Sequence, residues 1–183
     1  IEDGDIGKVG LLDFTSSFLP TYNSWISSKS AGGGTLFGNA SYFIQICKYL
    51  FEGGKILDVN GTSIISPHGA DSQSVINLKL SKDILITSKI SFDVLAVNKA
   101  MIYGELGYIE IPDYWKARKA TMVWHDGKTS EINIPQDNEL VYEIQHIEEC
   151  LEKGLLESPI MDREMTVSTI DLLERLSKEW YKN

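Results

Sequence analysis

The period of the hydrophobic positions changes three times along the chain. Lys8 to Phe18 alternates loosely in β-prone residues, which predicts a strand. Leu19 to Ala31 carries Pro20, Asn23 and several serines, which is loop chemistry. After Gly32-Gly33-Gly34, Leu36, Phe43, Ile46, Cys47 and Leu50 recur at helical spacing. They predict a mostly buried helix over Leu36 to Phe51, stopped by Gly53-Gly54. Short β-prone runs then follow one another: Ile56–Ile65, Ser74–Leu80, Ile84–Phe92, Asn98–Tyr103, Tyr108–Ile111, Ala120–Trp124 and Ser130–Ile134. Asn60-Gly61, Pro67-His68-Gly69, Ser81-Lys82-Asp83, Gly104, Gly107 and Asp126-Gly127 read as breaks in this region. Several connections are too short for a crossover helix, so sequential strands should pair antiparallel. Asp126-Gly127 predicts a hairpin joining the last two runs.

The last third returns to the helical period. Asp137 or Asn138 can cap a helix over Glu139–Lys153, with Ile144, Ile147 and Leu151 on one face and Gly154 at its end. Pro159 breaks the chain, and Met165 to Trp180 forms another helix with Val167, Ile170, Leu173 and Leu176 as its stripe. The fold class is α+β: a large, mainly antiparallel open sheet with about three helices packed on one face. The other sheet face must then be wet or covered by a partner. Tyr108, Tyr114, Trp115 and Trp124 lie on or beside strands, and alternate ones are candidates for that face. An apolar, uncovered sheet face would be a large patch for a monomer, which predicts a homodimer through the sheet.

The chain of 183 residues is long enough for a single domain with its own core. Its net charge of −9, without a basic cluster, makes nucleic acid and anionic membranes poor partners. No apolar run reaches the ~20 residues that span a bilayer as a helix. The two cysteines, Cys47 and Cys150, sit inside helical patterns without metal spacing and read as reduced thiols of a cytoplasmic protein. Glu143 and His146 share a helix face, but no third ligand joins them, so no metal is expected. His68 and His125 fall at turn or strand ends and read as exposed. No GxGxxG, P-loop, GxSxG or HExxH is present. The chain opens at Ile1 without methionine, and Ile1 to Gly7 reads as the end of a helix running into a turn. That start suggests a chain joined in the middle of a longer protein.

Four ordered segments carry a resemblance. Gly4-Asp5-Ile6-Gly7-Lys8-Val9 comes first, then Trp25 followed by Gly32-Gly33-Gly34-Thr35-Leu36 and Tyr42. Gly104-Glu105-Leu106-Gly107-Tyr108-Ile109-Glu110-Ile111-Pro112 is third, and Asn138 through Ile147 with Gly154 and Ser158-Pro159 is fourth. Together they resemble the second domain of the Gfo/Idh/MocA oxidoreductases, in the dimeric dihydrodiol dehydrogenase-like branch. The resemblance implies a glyceraldehyde-3-phosphate dehydrogenase-like C-terminal domain. It also implies an N-terminal Rossmann domain, outside this chain, that holds NAD or NADP and supplies a lysine. The substrate would be a sugar, polyol or cyclic diol.

By that resemblance Tyr42 is the candidate acid/base, since moving a proton at a carbinol oxygen is worth about 10²–10⁴-fold. A neighbouring ammonium would favour the phenolate. On helical pattern alone, Tyr42 reads instead as a buried core aromatic. Gly32, Gly33 and Gly34 are candidate cofactor contacts, or a plain flexible entry to a helix. Trp25, Lys29 and Asn39 are candidate substrate contacts, although a loop lysine is by default solvated. The family commonly places Asp four residues before the Tyr, where this chain has Gly38, and Arg after the Trp, where it has Ile26. Those losses keep open a non-catalytic regulatory or ligand-sensing member, and a start at Ile1 would allow an independent oligomerising sheet domain.

Overall fold

Each predicted strand forms: β1 (Val9–Ser17), β2 (Ile56–Ile65), β3 (Asp71–Leu80), β4 (Ile84–Ser91), β5 (Lys99–Gly104), β6 (Gly107–Pro112), β7 (Lys119–Trp124) and β8 (Thr129–Asn133). The predicted helices form as α1 (Thr35–Leu50), α2 (Leu140–Glu152) and α3 (Arg163–Trp180). The structure is a computed structural model and describes residues 1, 4–21, 24–52 and 54–182. Asn23 of the predicted loop and Gly53 of the predicted helix stop lie outside the described residues.

The strands join in one sheet of order β2-β3-β4-β1-β5-β6-β7-β8. Sequential neighbours pair antiparallel, as the short connections require, and β7 and β8 meet across the Asp126-Gly127 hairpin, where Gly127 has φ +88°. The exception to antiparallel pairing is not sequential: β1 lies between β4 and β5 and runs parallel to β4. Asn60-Gly61 does not turn the chain. β2 runs straight through, with Asn60 opposite Asn77 and Gly61 opposite Ile76. The glycine is needed for another reason. A Cβ there would lie 2.6 Å from the Val75 carbonyl oxygen, and Trp180 Nε1 donates to the Gly61 carbonyl at 3.2 Å.

Alternation sorts the sheet. Leu12 and Phe14, Ile76, Leu78 and Leu80, Ile84, Ile86 and Ile90, and Ala100 and Ile102 are buried on one face. Leu36, Ala40, Phe43, Ile44 and Cys47 of α1 and Leu172, Leu173 and Leu176 of α3 close the same core. Each such leucine, isoleucine or phenylalanine contributes roughly 1.5–3 kcal/mol when buried. By contrast, α2 contributes no buried residue, and Ile144, Ile147 and Leu151 stay exposed.

The opposite face is banded. One band across the strands carries Leu85, Leu11, Tyr103, Tyr108 and Val123 in register. Beside it run ion pairs of Lys89 with Asp13, Lys99 with Glu110 and Lys119 with Glu131. Of the four aromatics expected as candidates there, Tyr108 is present. Tyr114 is buried instead, edge-on to Phe14 with ring centroids 5.1 Å apart, and Trp115 stacks edge-on to Tyr114 at 5.3 Å. Those two lie in the 3₁₀ turn after β6, which folds back over the helix side. Trp124 Nε1 donates to the Asp5 carbonyl at 2.8 Å, tying β7 to the N-terminal turn.

Candidate functional site

The glycine run is built as a tight corner between the 3₁₀ turn Lys29–Ala31 and α1. Gly32 has φ +75° and Gly34 φ +101°, both in the region that favours glycine. All three amides are used internally: Gly32 N–H on Lys29 O, Gly33 N–H on Ser28 O, and Gly34 N–H on Ile26 O at 3.0, 2.9 and 2.7 Å. A Cβ on Gly33 would collide with the Ile26 and Trp25 carbonyls, and one on Gly34 with Asp71 Oδ1. A Cβ on Gly32 would meet open space. The close approach that glycine permits at 33 and 34 is therefore to this chain's own backbone and to Asp71.

Gly34 stands at the N-cap position of α1 and has no side chain to cap with. The cap comes from β3. Asp71, 1% exposed, accepts the Leu36 amide at 2.8 Å and the Thr35 hydroxyl on Oδ2. A carboxylate at a helix N-terminus faces unpaired amides and the positive end of the helix dipole. The other oxygen, Oδ1, accepts the Tyr181 hydroxyl at 2.8 Å, and the Tyr181 oxygen in turn accepts the Asp71 amide at 2.8 Å. Burial first, and the Asp71 charge second, push the Tyr181 phenol well above its ordinary range. The Lys29 ammonium sits 3.7 Å from the Tyr181 ring centroid, so this candidate substrate lysine is turned onto the end of α3. Neither Asp71 nor Tyr181 was legible beforehand. The cap acts across 35 residues of sequence and leaves no local spacing to read.

Tyr42 lies on the second turn of α1 and is 49% exposed, which sets aside its reading as a sealed core aromatic. Trp25 is likewise exposed. Asn39 is half-buried, and its Oδ1 faces inward without a donor among the described residues. One helical turn before Tyr42, Gly38 is covered by another chain element. A Cβ at Gly38 would lie 2.8 Å from Ile26 Cδ1 and 3.8 Å from the Phe92 ring. Phe92 in turn stacks on Phe18, ring centroids 4.5 Å apart. Gly38 is therefore packed against apolar, buried neighbours, Ile26 and Phe92.

Glycine amides already bonded to the chain cannot cradle a pyrophosphate, which needs free N–H groups at a helix start. Among the described residues, no three His, Cys, Asp or Glu side chains are placed to hold a metal ion. His68 and His125 are exposed, and Cys47 and Cys150 are both free thiols. No helix among the described residues is long and apolar enough to cross a membrane.

A family model described as the GFO/IDH/MocA C-terminal domain matches residues 1–110. The trans-1,2-dihydrobenzene-1,2-diol dehydrogenase of Xenopus laevis is 31% identical over 163 residues, 81% of this chain and 48% of its own. The protein of the same description from Homo sapiens is 22% identical over 157 residues, 82% of this chain and 47% of its own. The chain thus spans about half the length of the curated relatives it matches. The solved aldose-aldose oxidoreductase of Caulobacter crescentus superposes with TM-score 0.77 at 19% identity, over 97% of this chain and 56% of its own. A 3-ketoreductase from Actinomadura kijaniata, solved with NADP and TDP-benzene, gives TM-score 0.76 at 12% identity, over 97% of this chain and 55% of its own.

Proposed function

This chain belongs to the GFO/IDH/MocA family, and from that premise we propose that it is the substrate-side and dimerisation domain of an NAD(P)-dependent oxidoreductase. The reaction is oxidation or reduction at a carbinol carbon of a sugar, polyol or cyclic diol. Tyr42 is the acid/base, giving or taking the proton at the substrate oxygen. The observation that carries this reading is the half-exposed Tyr42 side chain, standing on α1 beside a rigid glycine corner. The curated relatives, described as trans-1,2-dihydrobenzene-1,2-diol dehydrogenases, favour the cyclic diol among the three substrate classes. Trp25, which is exposed, and Asn39, which is half-buried on the first turns of α1, are the substrate contacts of this reading. Lys29 reaches substrate only by leaving Tyr181.

NAD or NADP would be held mainly by an N-terminal Rossmann domain of the whole protein, with Gly32 the glycine whose open side can meet it. The 183 residues alone are expected to be inactive. The apolar Ile26–Gly38 contact also supports a second reading, a non-catalytic ligand-sensing member of the same fold, because it removes the polar pair that would orient substrate. The test is Tyr42→Phe in the whole protein, assayed with NAD and NADP on cyclic diols and sugars. The expected result is a kcat lowered by ~10²-fold or more with unchanged cofactor affinity. An unchanged kcat removes Tyr42 from the chemistry, and a wild type inactive on every substrate favours the sensor.

A further inference from the structure

The core of this domain stops partway across the sheet. Among the described residues, β7, β8 and α2 contribute no buried side chain. On the helix side of that half, Ile132, opposite Ala120 in the β7–β8 pair, is left exposed. α2 lies on the same side, because both its ends are tied there. Glu139, just before it, pairs with Lys116 at 2.9 Å, in the 3₁₀ turn that folds back over the helix side. The loop after it leads to α3 and is held by His146 Nε2, 2.7 Å from Ser158 Oγ. Along α2, Leu140, Ile144, Ile147 and Leu151 recur every three or four residues, and each is at least 50% exposed. That spacing puts them in one stripe, with Glu143 and Glu148 bordering it on either side.

A helix of 13 residues with no packed face is marginal in water, because helices in proteins draw most of their stability from burying an apolar face. α2 gets no such burial from this domain, so its stripe is a docking face. What covers it follows from three observations. The matching family model is that of a C-terminal domain, and the chain spans 48% and 47% of the length of two curated relatives, so about half of a protein of that kind lies on the N-terminal side. Ile1 packs against the helix-side core, and Trp124, which alternates with Met122 on the same face of β7, donates to the Asp5 carbonyl at 2.8 Å. A domain joined at Ile1 therefore enters on the helix side, on the half of the sheet from which α2 leaves. The opposite face, with its band of Leu85, Leu11, Tyr103 and Tyr108, is the one assigned to a second copy and does not compete for α2.

Resting on the reading of this chain as the substrate-side half of an NAD(P)-dependent oxidoreductase, we propose that the α2 stripe, with the uncovered helix-side face of β7 and β8, is the seat of the whole protein's N-terminal domain. That domain meets it with an apolar surface rimmed by lysine or arginine opposite Glu143 and Glu148. The seat is on the same side of the sheet as α1, so docking there fixes the cofactor-bearing domain relative to Tyr42. α2 is a positioning element in this arrangement, and it is a stable helix only when the two halves meet.

The test uses the whole protein and hydrogen–deuterium exchange read by peptide mass spectrometry. Amides of α2 should be protected at least ~100-fold over the unfolded chain, because opening them requires the two domains to part. Exchange of α2 near the unfolded rate, with α1 protected, overturns the proposal. In Ile144→Asp with Ile147→Asp, α2 protection should fall at least ~10-fold while α1 keeps its own, since the stripe packs on no core of this domain. Unchanged α2 protection in that variant also overturns it. The photo-crosslinker p-benzoylphenylalanine, placed at Ile147, identifies the occupant. Crosslinks within one chain to residues preceding Ile1 support the proposal; crosslinks to a second copy, to residues 1–183 alone, or to nothing overturn it. Tyr42→Phe kinetics answer separately for the parent reading. A lowered kcat without the crosslink removes the docking face and leaves that reading standing, and an intact mass with no domain before Ile1 removes both.

Discussion

Removing the Asp71 carboxylate should loosen the helix that carries Tyr42, and the cost can be worked from its partners. In Asp71→Ala the Leu36 amide loses its acceptor at a position with no solvent access, since Leu36 is 0% exposed. An orphaned buried donor costs about 1–3 kcal/mol. The Thr35 hydroxyl loses little, because Ser74 Oγ stands 2.8 Å away as an alternative acceptor. The part-buried Tyr181 hydroxyl loses an acceptor worth about 0.5–1.5 kcal/mol. Relief from burying a charge offsets part of this, leaving roughly 2–3 kcal/mol. For a chain of this length each kcal/mol moves the melting point by about 2–4 °C, so Asp71→Ala should melt about 5–10 °C lower.

Asp71→Asn is the sharper probe. Its carbonyl can still accept the Leu36 amide while its nitrogen faces the Tyr181 oxygen, so one partner is kept and the cost should be about 1 kcal/mol. Tyr181→Phe combined with Asp71→Ala should cost less than the sum of the two alone, because they share a bond. Circular-dichroism melts and urea titrations read all four variants. The reasoning is refuted if Asp71→Ala melts within about 2 °C of the parent, or if Asn is as damaging as Ala.

Gly33→Ala should destabilise severely, since its Cβ meets fixed backbone carbonyls, whereas Gly38→Ala should be near neutral. At Gly38 the obstacle is the end of the Ile26 side chain, and the helix gains about 1 kcal/mol from losing a glycine; melts that rank the two variants equally refute this. Stability should also fall in alkali. Burial raises the Cys47 thiol and the Tyr114 and Tyr181 phenols, so the folded form keeps these protons longer than the unfolded one. Their contribution is full below the unfolded values of about 8.5 and 10 and is lost as pH climbs past them. A melting point flat from pH 8 to about 11 contradicts this, and Tyr181→Phe should fall less steeply above pH ~10. The banded sheet face predicts a dimer: sedimentation of a clean monomer at micromolar concentration rejects it, and Leu11→Arg should dissociate what forms.

The sheet and its helices were legible because each element advertises itself locally. β3 and β4 are dense in β-prone apolar residues, Gly154 at φ +66° follows α2, and Asp126-Gly127 sits between two strand patterns. Asn60-Gly61 misled for the same reason. The dipeptide is a turn signal, but glycine was selected there by the approach of Val75 and Trp180, a contact that no local window contains. The parallel β1–β4 pair was hidden similarly, since strand order across a sheet follows from long-range packing. At the candidate site the resemblance pointed to the glycine corner and Tyr42. It could not say that Asp71 and Tyr181, from β3 and the end of α3, hold that corner closed.

The two departures from the family pattern, Ile26 and Gly38, bear on whether the site has decayed or been refitted. Independent loss of an arginine and an aspartate would leave unrelated gaps, or a polar group stranded without its partner. Here the two replacements touch. The Ile26 δ-methyl fills the space a side chain at 38 would need, and the Phe92 ring, itself packed on Phe18, closes the far side. Ile26 is 8% and Phe92 3% exposed, so the contact belongs to the continuous core under α1 and is no solvent-filled vacancy. An aspartate put back at 38 alone would press a carboxylate against a methyl and an aromatic ring, at the cost of an unpaired, partly buried charge. Polar and apolar versions of this pair are each self-consistent, and mixtures are not.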